Sequence, residues 1–256
     1  MTLQYSRMVS GLSFWPDIEI PVRAAFFRSL KYQGFSWVGL TCGDRAWNYM
    51  NWHPEFPGPR FPGVTSWVEQ ANAAGLRTVV RGAYWIQDLD GSLLSDPSHM
   101  DEVVLAHAKT LVNTSYYMNA FQPVAEWPIP PTQEGADRIA AWNASIAPKI
   151  REILPSHTII FSPPAWGHIA GEGYTFMPAL PDKNAAWGFD LYGPTPDDPQ
   201  GINDLGAWLN KRGEKALIME CGLSNRLDLS NESAMVDAYR KVAAPWKIPV
   251  AAWRNG

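Results

Sequence analysis

The segment Lys215-Ala-Leu-Ile-Met-Glu-Cys-Gly-Leu-Ser224 is the most informative one in this 256-residue chain. Residues 216–219 form an uncharged apolar run, which is typical of a strand buried on both faces. The run leads directly into Glu220 and then into a glycine turn. A carboxylate at the end of a buried strand is costly unless it is paired, hydrogen-bonded or used in chemistry. The segment therefore predicts a strand of a parallel sheet that ends in a functional acid.

A second segment has the same design. Tyr116-Tyr-Met-Asn-Ala-Phe-Gln-Pro-Val-Ala-Glu-Trp-Pro128 is a hydrophobic strand pattern that ends at Glu126. Two or three further strand–helix units separate Glu126 from Glu220. Because the carboxyl ends of parallel strands meet at one edge of a sheet, the two glutamates predict one pocket that contains a pair of carboxylates.

Strand and helix patterns alternate along the whole chain, which indicates an α/β fold with a parallel sheet. We predict one domain over residues 1–256, a (β/α)8 TIM barrel of the usual size of about 250 residues. It is somewhat trimmed, with a short or absent fifth helix and no closing helix after the eighth strand. An open doubly wound sheet is the alternative, although no Gly-rich phosphate loop follows any strand. The strands are predicted at 8–14, 35–40, 76–83, 116–124, 158–162, 185–192, 216–220 and 249–253.

Composition excludes several classes of function. The net charge of −4 and pI of about 5.7 argue against a nucleic-acid partner. No apolar run approaches the ~20 residues that cross a bilayer, and the N-terminus lacks the pattern of a signal peptide, so the compartment is left open. Cys42 and Cys221 lie on strands that are not expected to be neighbours, and the five histidines are scattered singly. We expect a monomer with no disulfide, no metal and no cofactor.

Aromatic residues are unusually frequent, with 13 Trp, 9 Tyr and 10 Phe. Many of the tryptophans fall in predicted loops, where the CH faces of sugar rings could stack on them. We predict a carbohydrate-binding rim from those at or beyond strand ends and a core role for the others. The rim set is Trp15, Trp47, Trp52, Trp85, Trp127, Trp166, Trp187 and Trp253; the core set is Trp37, Trp67, Trp142, Trp208 and Trp246.

The order of the strand-end motifs resembles that of retaining barrel glycosidases, and the cellulase-like family 5 glycoside hydrolases are the nearest group. Four short motifs carry the resemblance. Ala125-Glu-Trp-Pro128 stands where the family has Asn-Glu-Pro, and Ile218-Met-Glu-Cys-Gly222 matches its strand-seven pattern of apolar residues, Glu, one residue and Gly. Phe189-Asp-Leu-Tyr192 stands where the family has His-x-Tyr, and Ala251-Ala-Trp253 matches its strand-eight tryptophan.

The resemblance implies a role for each matched residue. Glu126 would be the general acid/base, with partial desolvation by Trp127 and Pro128, and Glu220 the nucleophile. Tyr192 would orient Glu220, with Asn225 as a further candidate donor, and Trp253 would line the sugar subsite. Further candidate substrate-binding residues are Trp47, Trp85, Trp127, Gln122, Asp190 and Asp44, of which Asp44 could equally be a turn residue.

The chain also departs from the family pattern. Ala125 replaces the asparagine that contacts the sugar 2-hydroxyl, so that contact would come from Gln122 or Asn119. Asp190 replaces a histidine and could bind substrate or hold an arginine. No arginine is visible on the second strand, for which Arg45 or Arg81 could substitute.

Three functions follow from these residues. The first is a retaining hydrolase that acts internally on a β-linked polysaccharide or oligosaccharide. The second is a non-catalytic carbohydrate-binding barrel derived from such an enzyme. The third is an inverting hydrolase with Asp190 or Asp44 as the base, which requires a wider carboxylate spacing.

Overall fold

A computed structural model of the chain describes residues 10–14, 23–41, 64–83, 97–125, 127, 129–164, 176–193, 202–223 and 229–254. For some of these residues, including Tyr192 and Trp253, it describes the backbone alone.

Eight parallel strands within these residues form a closed barrel in sequence order. Each strand pairs with the next, and the last pairs with the first from Ser10 opposite Val250 to Phe14 opposite Arg254. The predicted (β/α)8 barrel is therefore confirmed, and the open sheet is wrong. The strands are β1 (Ser10–Phe14), β2 (Trp37–Thr41), β3 (Arg77–Ala83), β4 (Asn119–Val124), β5 (Thr158–Phe161), β6 (Ala185–Gly193), β7 (Ala216–Leu223) and β8 (Val250–Arg254).

Helices follow most of the strands. Gly34 and Gly75, which follow the first two helices, adopt positive φ values of 90° and 78°, which favour glycine. The described residues between β5 and β6 contain no α-helix, and residues 255–256 after β8 lie outside the described part. No helix in the described part is long and apolar enough to cross a membrane. The helices are α1 (Arg23–Tyr32), α2 (Val64–Ala73), α3 (Ser98–Lys109), α4 (Gln133–Ile153), α5 (Ile202–Arg212) and α6 (Leu229–Ala243), followed by a 3₁₀ turn at Ala244–Trp246.

The core has two parts, a large cluster of buried apolar residues and a small one. Successive strand residues point to opposite faces of the sheet, so residues that alternate along a strand belong to different parts. On β3, Val79 belongs to the small cluster and Val80 to the large one. The small cluster consists of Trp37, Val79, Ala120, Ile160, Ala186, Leu217, Met219 and Ala251, which come from the seven strands β2 to β8 and form the barrel interior. On β3 and β4, and directly after β5, the side chains two residues further along, Arg81, Gln122 and Ser162, lie nearer the C-terminal strand ends and contact one another in the same interior.

Two tryptophans assigned to the carbohydrate-binding rim lie in the core instead. Trp127 is 0% exposed, and its ring packs edge-on against Trp142 with centroids 5.2 Å apart. Trp187 is also buried, and its Nε1 donates to Glu214 at 3.0 Å. The rim prediction is wrong for both residues, because a fully enclosed indole has no face to offer a sugar. The core assignments of Trp67 and Trp142 are confirmed.

Burial of a histidine on α3 makes the stability of the fold depend on pH. His107 is 4% exposed, and desolvation lowers its pKa from 6.5 to about 4. Between these two pH values the unfolded chain binds a proton on this residue and the folded chain does not. The free energy of unfolding therefore falls as the pH falls through this window, and His107 alone accounts for about 1.4 kcal/mol at pH 5.5.

Urea denaturation of the wild type and of His107→Leu at pH 7.5 and pH 5.5 measures this effect. The variant is expected to lose less stability between the two pH values than the wild type. His157, whose pKa is also lowered to about 4 by burial and Arg151, contributes equally to both proteins and cancels. An identical loss in the two proteins would show that His107 is protonated in the folded state.

Candidate active site

The strand β7 contains a β-bulge immediately before Glu220. Its register with both neighbouring strands shifts by one residue, so β7 has one more residue than either neighbour over the same length. A bulge of this kind re-aims the side chains that follow it and is common beside active sites. The pairs are Phe189↔Ile218 and Asp190↔Glu220 on the β6 side, and Ile218↔Val250 and Cys221↔Ala252 on the β8 side.

The bulge directs Glu220 into the barrel. Leu217 and Met219 belong to the interior cluster, whereas Ile218 and Cys221 belong to the outer core. Strict alternation would place Glu220 on the same face as Ile218, among apolar helix contacts. The extra residue places it opposite Asp190, on the interior face and toward the C-terminal end of the sheet, where barrel active sites lie.

Arg81 of β3 connects the acidic residues inside the barrel. Its Nη1 contacts Oε1 of Glu220, and its Nη2 lies 3.2 and 3.4 Å from the carboxylate oxygens of Asp190. Its Nε donates to Oε1 of Gln122, on β4, at 2.8 Å. Arg81, Asp190 and Gln122 are 0% exposed and Glu220 is 2% exposed. We call these four residues the Arg81 cluster.

The Arg81 cluster holds one cation against two acids. An arginine stays protonated in proteins, so Arg81 brings one positive charge to the carboxyl groups of Asp190 and Glu220. A buried carboxylate is stable only when hydrogen bonds and ion pairs replace the lost water. Arg81 supplies both, with a separate nitrogen for each carboxylate. A carboxylate held in this way is available as a nucleophile or as a stabiliser of positive charge.

A buried hydrogen-bond chain continues from the cluster to the end of β4. Nε2 of Gln122 donates to Oγ of Ser162 at 2.9 Å, and Ser162 Oγ lies 2.6 and 2.8 Å from the carbonyl oxygens of Val124 and Ala125. Gly188 makes room for it, because a Cβ there would lie 2.9 Å from Nε2 of Gln122. The carbonyl of Ala125 belongs to the peptide bond that joins this residue to Glu126.

The structure corrects several predicted substrate contacts. Gln122 is fully buried and binds Arg81, so it serves the cluster rather than an open groove. Asp190 is also buried and binds Arg81, which is one of the two roles predicted for it. Asn119, the other candidate for the missing asparagine contact, bonds Thr78 and the carbonyl of Ser115 at the start of β4. Trp127 lies in the core, as described above.

For the other predicted site residues, the structure describes either the backbone alone or no part of the residue. Tyr192 pairs with Gly222 at the C-terminal end of β6, and Trp253 pairs with Ser13 near the end of β8. Both backbone positions lie at the strand ends where the resemblance puts them; their side-chain roles remain predictions. Glu126, Trp47, Trp85, Asp44, Arg45 and Asn225 lie outside the described residues.

Two residues of the site were not predicted in their observed roles. The sequence suggests Arg81 only as a substitute for a missing arginine, although a charged residue inside an apolar strand pattern is a strong signal of a buried pair. Nothing in the sequence marks Ser162, which directly follows β5, as a site residue. Among the described residues, no group of three or more His, Cys, Asp or Glu side chains could hold a metal ion.

The fold and the cluster define a class: a closed (β/α)8 barrel with a buried arginine–carboxylate site toward the C-terminal ends of its strands. No family model matches the chain, and no curated protein matches it in sequence. Solved structures, in contrast, match it in 210 chains.

The matching structures include endoglucanases. A GH5-4 broad-specificity endoglucanase from Clostridium cellulovorans is 17% identical, with a TM-score of 0.77 over 98% of this chain and 85% of that one. Cel5A from Thermotoga maritima, in complex with mannotriose, is 19% identical, with a TM-score of 0.71 over 98% and 91%. A GH5-4 broad-specificity endoglucanase from Clostridium acetobutylicum is 17% identical, with a TM-score of 0.71 over 100% and 91%. Identities this low establish the shared fold alone.

Proposed function

We propose that this protein is a retaining glycoside hydrolase that cleaves β-linked polysaccharides or oligosaccharides at internal bonds. The observation that carries the proposal is Glu220, turned into the barrel by a bulge and paired with buried Arg81. Its position toward the C-terminal end of β7 is the one that the resemblance gives to the nucleophile. The likeness to barrels of endoglucanases adds support at the level of the fold.

The proposed reaction is a double displacement. Glu126 protonates the leaving oxygen while the carboxylate of Glu220 attacks the sugar carbon and forms a covalent glycosyl intermediate. Glu126 then acts as a base on water, which releases the sugar with its original configuration. In this mechanism Arg81 orients Glu220 through the contact of its Nη1 with Oε1. Asp190 balances the charge of Arg81, so that the guanidinium does not neutralise the nucleophile completely.

The candidate substrates follow from the similar structures, which include an endo-β-1,4-glucanase and complexes with cellobiose and mannotriose. β-1,4-Glucans and β-mannans are therefore the first polysaccharides to test. Xylan completes the panel. The wild type is expected to release reducing ends from at least one of these polymers and to shorten it by internal cleavage.

The configuration of the first product tests the mechanism. Proton NMR of a fresh digest is expected to show the β-anomer before mutarotation. An α-anomer as the first product would favour the inverting alternative, which needs carboxylates about 6.5–9.5 Å apart instead of about 5–5.5 Å.

A non-catalytic carbohydrate-binding barrel is the second candidate. One observation that favours it is Ala125, which stands where the family has its sugar-contacting asparagine. Another is that Gln122, a candidate to replace that contact, bonds Arg81 and Ser162 instead. Isothermal titration with cellohexaose and mannohexaose separates the two candidates. Binding without any cleavage in the polymer panel would establish the binding role and reject the hydrolase.

A further inference from the structure

We propose that Ser162 and Gln122 are positioning residues that hold the end of β4, which leads into the proposed acid/base Glu126, in a fixed place relative to Glu220. This inference rests on the proposed function. It assigns a role to a hydrogen-bond chain that connects the two strands expected to carry the catalytic acids. The chain consists of Glu220, Arg81, Gln122, Ser162 and the carbonyls of residues 124 and 125.

The direction of each hydrogen bond in this chain is determined by its chemistry. Nε of Arg81 can only donate, so the amide oxygen of Gln122 must face it. The amide nitrogen then faces Ser162, whose oxygen accepts that bond at 2.9 Å. The single hydroxyl proton of Ser162 is consequently available for the carbonyls of Val124 and Ala125. The guanidinium that holds Glu220 thus also orders the contacts at the end of β4.

The chain has little freedom to rearrange. Gln122 and Ser162 are buried, and apolar residues of β5 and β7 enclose the amide of Gln122 where Gly188 lacks a side chain. The hydroxyl bonds both carbonyls that precede residue 126, one of which belongs to the peptide bond to Glu126. Among the described residues, the further side-chain hydrogen bond to these two carbonyls is a long one of 3.5 Å, from Nε2 of Gln122 to the carbonyl of Ala125. Loss of the Ser162 hydroxyl therefore removes the two short side-chain hydrogen bonds to the carbonyls that precede residue 126.

Small displacements of an acid/base residue have large kinetic effects. A shift of about 1 Å in a catalytic group can cost on the order of 100-fold in rate. A displaced Glu126 would fail selectively at proton transfer, while attack by Glu220 would remain. Ser162→Ala is therefore expected to impair bonds whose leaving group needs a proton and to spare those whose leaving group does not.

Two aryl glycosides measure this selectivity. Phenyl β-cellobioside needs a proton from the acid, whereas the first turnover of 2,4-dinitrophenyl β-cellobioside does not; the β-mannobiosides replace them if mannan is the polymer cleaved. Ser162→Ala is expected to lower kcat/KM for the phenyl substrate about 100-fold. The rate of the first dinitrophenolate burst, measured by stopped flow, is expected to stay within about threefold of the wild type.

The matched control is Thr78→Val. It also removes a buried hydroxyl hydrogen bond between β3 and β4, from Thr78 to Asn119, but at the opposite end of the strands. The control is expected to change neither rate by more than about twofold, since it lies away from the reacting groups. Thermal melting of both variants checks that they are folded.

Two other outcomes would contradict either the positioning role or the proposed function. Equal slowing of both substrates in Ser162→Ala, or the same selectivity in Thr78→Val, would overturn the positioning role and leave wild-type hydrolysis intact. A wild type that cleaves neither aryl glycosides nor polymers would instead reject the proposed function, and the positioning role with it.

Discussion

Replacement of Arg81 by methionine is expected to lower the free energy of unfolding by about 3–5 kcal/mol, the usual cost of breaking a buried ion pair. The variant keeps the length and apolar stem of the side chain but removes the cation. Asp190 and Glu220, which face each other across β6 and β7, would then lack their shared guanidinium. Two carboxylates of the same sign in an interior of low dielectric repel each other and have lost their water.

Equilibrium denaturation in urea measures the loss, with Arg240→Met as the control. Arg240 pairs with Asp237 on α6, where the two side chains are 29% and 69% exposed. A pair near the surface contributes at most about 1 kcal/mol, and the contact of Arg240 with the ring of Phe35, 5.8 Å from its centroid, adds about 0.5–1 kcal/mol. The control is therefore expected to lose clearly less stability than Arg81→Met. If Arg81→Met were no more destabilised than this control, the cluster would not be a buried charge pair in solution.

The double variant Arg81→Met/Asp190→Asn tests the cause of the loss. Removal of one carboxylate charge relieves the repulsion with Glu220, so the double variant is expected to be more stable than Arg81→Met alone. Residues in one ion-pair network are strongly non-additive, which makes this recovery a direct measure of the coupling. A double variant that loses the sum of the two single effects would show that Asp190 acts independently of Arg81.

The barrel itself was predictable because its signals are local. Apolar runs of four to eight residues alternate with segments of helical period, and glycines such as Gly34 and Gly75 mark the helix ends. Boundaries were less accurate: the fourth strand is predicted at 116–124, whereas β4 begins at Asn119. Strand order and closure then follow from the parallel connections, which allow few alternatives.

The interior pairing was less accessible from the sequence. Asp190 lies beside Glu220 only because β7 carries a bulge, and the run of apolar residues before Glu220 has no local sign of an extra residue. Arg81 reaches across the barrel to β7, a contact that exists only when the sheet is closed. Both features depend on tertiary structure, which explains why Glu220 was predicted as a functional acid but its pairing with Asp190 and Arg81 was not.

The tryptophans show a limit of reasoning from position. A location just after a strand is shared by residues that face a groove and by residues that turn back under a helix. Trp127 belongs to the second kind, since α4 carries Trp142 as a ready aromatic partner and the indole is buried against it. Strand-end position alone therefore does not identify a sugar-binding aromatic residue. An additional sign is needed, such as the absence of a matching apolar face on the next helix.

Substitution of Glu220 by glutamine is expected to reduce kcat on the best polymer of the panel by about 10⁴-fold or more, as is typical when a catalytic nucleophile is removed. The amide oxygen can still accept a hydrogen bond from Arg81, so the geometry of the cluster is preserved. The lost negative charge leaves Arg81 and Asp190 as a neutral pair, and the variant is expected to remain folded. Glu220→Gln is therefore expected to lose activity and keep its stability, whereas Arg81→Met is expected to lose stability.

The control is Glu152→Gln on the exposed face of α4, which is expected to leave activity unchanged. Azide then tests whether Glu220 is the nucleophile or merely a required charge. In Glu220→Ala, azide can occupy the vacated space, attack the sugar carbon of a dinitrophenyl glycoside and form an α-glycosyl azide, because only one displacement occurs. Formation of the β-azide would assign Glu220 to acid/base catalysis instead. Full activity of Glu220→Gln would exclude this carboxylate from the reaction, and the enzyme would then need a different acid as its nucleophile.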